Sequence, residues 1–129
     1  MAKGFLIDTN TLIYFLKAEL PNSGFLFVKS ILDTAPTISF VTQIELLGYP
    51  TISGPEEADA MHVIQSSSVI LINSIIIEET ILLRKKHSIK LPDAIIAATA
   101  LVNDLTIITA NEKDFLKIQG LDIINPTTI

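Results

Sequence analysis

Asp8, Glu45, Asp93, Asn111 and Asp114 are the side chains of this 129-residue chain whose types and placement suit chemistry. Asp8 closes the apolar run Gly4-Phe5-Leu6-Ile7, and Glu45 follows the β-branched and aromatic stretch Thr37 to Val41. Asp93 opens the segment LPDAIIAATA, while Asn111 and Asp114 come just after Thr106 to Thr109. The chain has no cysteine, which removes disulfides, thiolate metal sites and Cys nucleophiles together. Its two histidines, His62 and His87, stand far apart with no H-E-x-x-H pattern around either, and are expected on solvent-facing helix positions. Donors that are oxygen only favour hard cations, Mg²⁺ or Mn²⁺. Two such ions about 3.5–4 Å apart can activate a water and stabilise the leaving oxygen of a phosphodiester.

Charge bears on the same point. Nine basic against 14 acidic residues give −5, which disfavours bulk attraction to a polyanion. Two bound divalent ions would bring the formal total to about −1 and reverse the local sign. The basic run Arg84-Lys85-Lys86, with Lys90 nearby, suits a helix C-terminus and is also the best candidate for gripping phosphates beside Asp93.

The elements that must position these residues alternate. Strands are expected at Gly4 to Ile7, Thr37 to Val41, Val69 to Ile72, Thr106 to Thr109 and Leu121 to Ile124. Helices are expected from Thr11, over Phe25 to Leu32, from Thr42 to near Gly48, and after Ser53-Gly54-Pro55-Glu56. Three more follow at Ser74 to His87, Leu91 to about Asp104, and Lys113 to Ile118. Such alternation gives an α/β fold with a mostly parallel sheet covered on both faces, its site at the carboxyl ends of strands.

Several of the five residues also have purely structural readings. Asp8 could cap the first helix, although Asn10 suits that role better. Thr42-Gln43-Ile44-Glu45 has the T-x-x-E form of a capping box. Asp93 after Pro92, and Asp114 after Lys113, are what a helix N-terminus favours electrostatically. Asn10 and Thr109 beside the site suit a cap and a strand-end hydroxyl, with holding a water or orienting a carboxylate as the other reading.

With no repeat or linker, residues 1–129 read as one domain. The charge-free run Ala60 to Ile77 carries too many polar residues to span a bilayer, and no signal peptide precedes Asp8, so a cytoplasmic protein is expected. A hydrophobic share of 49% and a mean hydropathy of +0.52 are high for a small domain. An oligomer is therefore expected, joined through early helices containing Leu12, Phe15, Phe25 and Phe27.

The stretches LIDTNTLIYFL, ISFVTQIELLGY, LPDAIIAATALVNDLTIITANEKDF and GLDIINP, in this order, resemble the PIN-domain ribonucleases and most closely the VapC-type toxins of toxin–antitoxin pairs. The resemblance implies a three-layer fold with a five-stranded parallel sheet flanked by helices. It also implies an Mg²⁺- or Mn²⁺-dependent endoribonuclease acting on an RNA substrate, and a homodimer neutralised by a small VapB-like antitoxin. The family's first three acids fall on Asp8, Glu45 and Asp93. Its fourth, directly after the strand, is here Asn111, with Asp114 as the substitute; an amide still ligates through oxygen but brings no charge. Two other classes remain open. One is a PIN-like interaction module without catalysis, which the Asn at 111 favours. The other is a haloacid-dehalogenase-like phosphatase, whose second acid would fall on Asn10.

Overall fold

Short strands that are apolar on both sides must be covered on both sides, and the sheet of this protein is built that way. The computed structural model describes residues 3–129. In chain order the elements are β1 (Gly4–Ile7), α1 (Thr9–Leu16), α2 (Asn22–Leu32), β2 (Thr37–Ser39), α3 (Phe40–Leu47) and α4 (Pro55–Ser66). Then come β3 (Ser68–Ile70), α5 (Ser74–Lys86), α6 (Leu91–Asn103), β4 (Leu105–Ile108), α7 (Lys113–Leu116) and β5 (Ile123–Ile124). The five strands form one sheet in the order β3-β2-β1-β4-β5, every pair parallel. The chain builds outward from β1 in one direction through β2 and β3, then in the other through β4 and β5. The order reverses between β1 and β4, which is where open parallel sheets leave a crevice at the carboxyl ends of their strands.

Residues adjacent along a strand face opposite layers. Leu6 and Ile107, paired across β1 and β4, join a core with Ile76 and Leu83 of α5, Ala94 and Ala97 of α6, and Phe115. Their neighbours Ile7 and Ile108 join a second core with Leu12, Val28, Ile38, Leu46 and Ile64, under α1, α2, α3 and α4. The result is three layers. The small side chains Ala94, Ala97, Ala98 and Ala100 are completely buried, so α6 lies close against both the sheet and α5.

Element ends differ from the sequence expectation where a side chain caps a helix early. Asp8, not Asn10, caps α1: its backbone is extended and its Oδ1 accepts from the Thr11 N–H at 2.9 Å, while Asn10 is exposed. Ser39 caps α3 by accepting from the Val41 N–H at 3.1 Å, so Phe40 and Val41 are helical despite their strand-like types. The capping box read at Thr42 therefore does not exist. Pro21 to Gly24, read as a break, lead into α2, which begins at Asn22. His87 ends α5 half-buried at its C-terminal cap, while His62 is exposed on α4. Gly24 is buried because a β-carbon there would lie 1.8 Å from the Pro126 carbonyl oxygen, so the chain's last residues pass directly over the first turn of α2.

The early-helix apolar residues divide between core and surface. Leu12 is fully buried, Phe15 stacks on Phe25 with ring centres 4.7 Å apart, and Phe27 meets Phe5 edge-on at 6.0 Å. Leu12 is therefore a core residue, while Phe15, Phe25 and Phe27 are half-buried. Exposed aliphatic surface lies on Leu26 of α2, Ile44 of α3, Leu71 and Ile72 after the edge strand β3, and Ile75 of α5.

Candidate active site

The ends of β1 and β4 are stitched together before any acid is considered. The Asp8 N–H donates to the Ile108 carbonyl at 3.1 Å, and the Thr11 hydroxyl donates to the same carbonyl at 3.3 Å. Thr11 Oγ1 in turn accepts from the Ala110 N–H at 3.0 Å, and Thr109 Oγ1 from the Asn111 N–H at 3.0 Å. This fixes the crevice.

Asp8 lies on its floor with only 4% of its surface exposed. Burial pushes its carboxyl above the usual carboxylate range, while hydrogen bonds from Thr109 and Thr11 oppose the shift and the charge of Glu45 adds to it. Asp93, in the first turn of α6, is half-buried, and its pKa is raised to about 6. Burial is the main cause, followed by the negative charges of Asp114, Asp8 and Glu45, with Lys90 working the other way. Glu45 is half-buried in the second turn of α3 and accepts from the Thr9 hydroxyl at 2.7 Å. Asp114 is half-buried in the first turn of α7.

Four carboxylates from four elements thus act on one another across the crevice. Asn111 is exposed on the loop above. Asn10 makes no side-chain hydrogen bond among the described residues. None of the four acids is ion-paired there either: the salt bridges join Lys3 to Asp104 and Asp122, Lys17 to Glu56, and Lys29 to Asp33. Sequence reasoning missed the threonines. Thr9, Thr11 and Thr42 are all buried. The only signal was that Thr9 and Thr11 flank Asn10 just after Asp8, a pattern that equally suits a helix start.

A divalent cation fits this donor set. Among the described residues no three His, Asp or Glu side chains form a ready-made cage for a metal ion. Mg²⁺ does not need one, since it keeps several waters and takes one or two carboxylates with substrate phosphates completing its shell. Repelling carboxylates without a basic partner are what such an ion would relieve.

The raised pKa of Asp93 has a consequence for stability. Between about pH 4 and pH 6 the folded chain holds a proton that the unfolded chain has already released, so stability falls as pH rises through that window. In chelator, wild type should therefore lose melting temperature relative to Asp93→Asn between about pH 5 and pH 7.5, and Mn²⁺ at the higher pH should restore it in wild type alone. Parallel pH dependence of the two proteins in thermal melts would show that the Asp93 charge costs nothing.

The profile of the PIN domain matches residues 5–121. The chain belongs to the PIN domain family. A toxin–antitoxin complex from Klebsiella pneumoniae contains a chain 32% identical, with a TM-score of 0.74 over 98% of this chain and all of that one. FitAcB from Neisseria gonorrhoeae (21% identity, TM-score 0.75) covers 97% of this chain and 99% of its own. DNA-bound VapBC from Salmonella typhimurium (23% identity, TM-score 0.73) covers the same shares. Comparison with curated protein sequences gives no match. This PIN domain is VapC-like, and its all-parallel sheet is the architecture that the sequence resemblance implied. Among its described residues, no helix is long and apolar enough to cross a membrane.

Proposed function

We propose that the chain is a metal-dependent endoribonuclease and the toxin of a VapBC-type pair, acting as one domain over residues 1–129 in the cytoplasm. The observation that carries this reading is the set of four carboxylates, Asp8, Glu45, Asp93 and Asp114, at the sheet's reversal point, where Asp93 feels the charge of the other three and none of the four is in a salt bridge among the described residues. Asp8, on the crevice floor, and Asp93, in the first turn of α6, would hold Mg²⁺ or Mn²⁺, with Asp114 in place of the acid that Asn111 lacks and Glu45 on the opposite wall. The ion would supply activation of water and stabilisation of the leaving oxygen. The protein's part is orientation. Asp8 is fixed by the α1 cap and Glu45 by the Thr9 hydroxyl, and the basic run Arg84-Lys85-Lys86 with Lys90, the last acting on Asp93, would offer positive charge to the flanking phosphates.

Water's oxygen joins phosphorus and the ribose 3′ oxygen leaves, so the products carry 5′-phosphate and 3′-hydroxyl ends. The reading is tested by incubating the purified chain with structured RNA and Mg²⁺ or Mn²⁺, with chelator and Asp93→Asn as controls. Cleavage is expected only with the ion and the intact carboxylate. Cyclic-phosphate ends, or undiminished cleavage in chelator, would overturn it.

Two partners belong to this reading. A VapB-like antitoxin is supported by a groove of about 430 Å³ between α1, α2 and α4, whose apolar floor includes Phe15, Phe25 and Val63 and whose rim carries Lys29, Asp33 and Asp59. A homodimer is supported by Ile44, Leu71, Ile72 and Ile75, which are 45–68% exposed. Light scattering on the same preparation should give the mass of two chains.

A further inference from the structure

Thr9 precedes no motif and ligates nothing by its type, yet it is 6% exposed and makes two side-chain hydrogen bonds. Its Oγ1 lies 2.7 Å from Glu45 Oε1 and 3.0 Å from Thr42 Oγ1. A threonine hydroxyl carries one proton. The charged oxygen is the stronger acceptor and its contact is the shorter, so the proton goes to Glu45. Thr42, fully buried, is then the donor within the hydroxyl pair. The relay runs from α3 to α1 and back to α3, tying the carboxylate to the helix that Asp8 caps. Both threonines are β-branched, so their side-chain torsions are stiff and the relay has little freedom to drift.

We propose that Thr9 is a positioning residue of the carboxylate site: its hydroxyl, held by Thr42, pins Glu45 through Oε1 and leaves Oε2 presented to a divalent cation or its water shell. This rests on reading the carboxylate cluster as a metal site. A glutamate free to rotate about three side-chain bonds must be ordered when the ion binds, whereas a pinned one is ordered beforehand.

The test is calorimetric titration of the chain with Mn²⁺, which reads affinity without turnover. Thr9→Val keeps the shape and removes the hydroxyl, and should weaken Mn²⁺ binding on the order of tenfold, the effect expected of a partner behind a ligand. Thr9→Ser keeps a hydroxyl and should stay within about threefold of wild type. Glu45→Gln should weaken binding at least as much as Thr9→Val, and the double variant should bind no worse than Glu45→Gln alone, because Thr9 acts only through Glu45. Full affinity in Thr9→Val beside weakened Glu45→Gln overturns the role of Thr9 and leaves the metal site standing. Full affinity in Glu45→Gln removes Glu45 from the site and the proposal with it. Additive losses in the double variant would place the effect of Thr9 elsewhere and also overturn it. Should Thr9→Val not fold, Thr42→Val breaks the relay one step back and is read by the same titration.

Discussion

Asp8→Asn is expected to melt at a higher temperature than wild type in chelator, and to cleave RNA on the order of 10²-fold or more slowly in Mn²⁺. The two effects have one cause. Asp8 is nearly inaccessible to water, and burial raises its carboxyl against the hydrogen bonds that favour the charge. Holding that charge in the floor of the crevice opposes folding, and the negative charges around it add to the cost. Asparagine keeps the shape and the oxygen that accepts from Thr11 N–H, and the two residues are close to equal as helix caps. Its amide can donate to the Thr109 hydroxyl. Folding therefore loses little and gains release from a buried charge, whereas the site loses the anion that would hold the cation. Asp8→Ala separates the contributions: it removes the charge and the cap together, so about 1 kcal/mol of helix stability goes with it. Melting curves and RNA cleavage on the same preparations decide the matter. An Asp8→Asn that melts no higher than wild type and cleaves normally would make Asp8 a cap and no more.

Gly24→Ala should be the most damaging single methyl group in the chain. The added carbon would sit 1.8 Å from the Pro126 carbonyl oxygen and 2.8 Å from its carbon, both backbone atoms that cannot swing aside as a side-chain tip could. Either α2 tilts or the last residues lift, and overpacking of this kind costs about 1–3 kcal/mol. For a chain of this size that is a fall in melting temperature of roughly 4–12 °C. Alanine's better helix propensity, up to about 1 kcal/mol at an interior position, offsets only part of it. No carboxylate of the site lies on α2 or the C-terminal segment, so cleavage per folded molecule should be unchanged. An unaltered melting temperature would mean that the segment after β5 is not docked on α2.

The layout was legible in the sequence because its signals are local. Apolar runs of four residues, Pro at the first turns of α4 and α6, and the basic last turn of α5 each announce an element without reference to the rest. What was not legible depends on contacts between distant segments. Phe40 and Val41 are strand-like by type, and only the side chain of Ser39 turning onto the Val41 N–H makes them helical. Thr42 looked like a cap because Glu45 follows three positions on; inside the helix, it faces Thr9 of another element instead. The same holds for Phe15 and Phe25, whose stacking needs the turn between α1 and α2 and leaves no trace in hydrophobicity. At the site, residue types located the acids, but how strongly they repel one another is set by depth and by neighbours up to a hundred positions away.

Because β1 lies between β2 and β4, the first strand made on a ribosome waits for nearly the last. Leu6 pairs with Thr37 early, but its other neighbour, Ile107, comes only after α6 has been synthesised. Contacts so distant in sequence form late and slowly. Asp8 and Glu45 are therefore present long before Asp93 and Asp114, and the crevice they share has no second wall until β4 docks. A nascent chain, or a fragment cut before α6, holds at most half of the acids and none of their geometry. Synthesis itself thus leaves the four-carboxylate site unassembled until the final strands are in place.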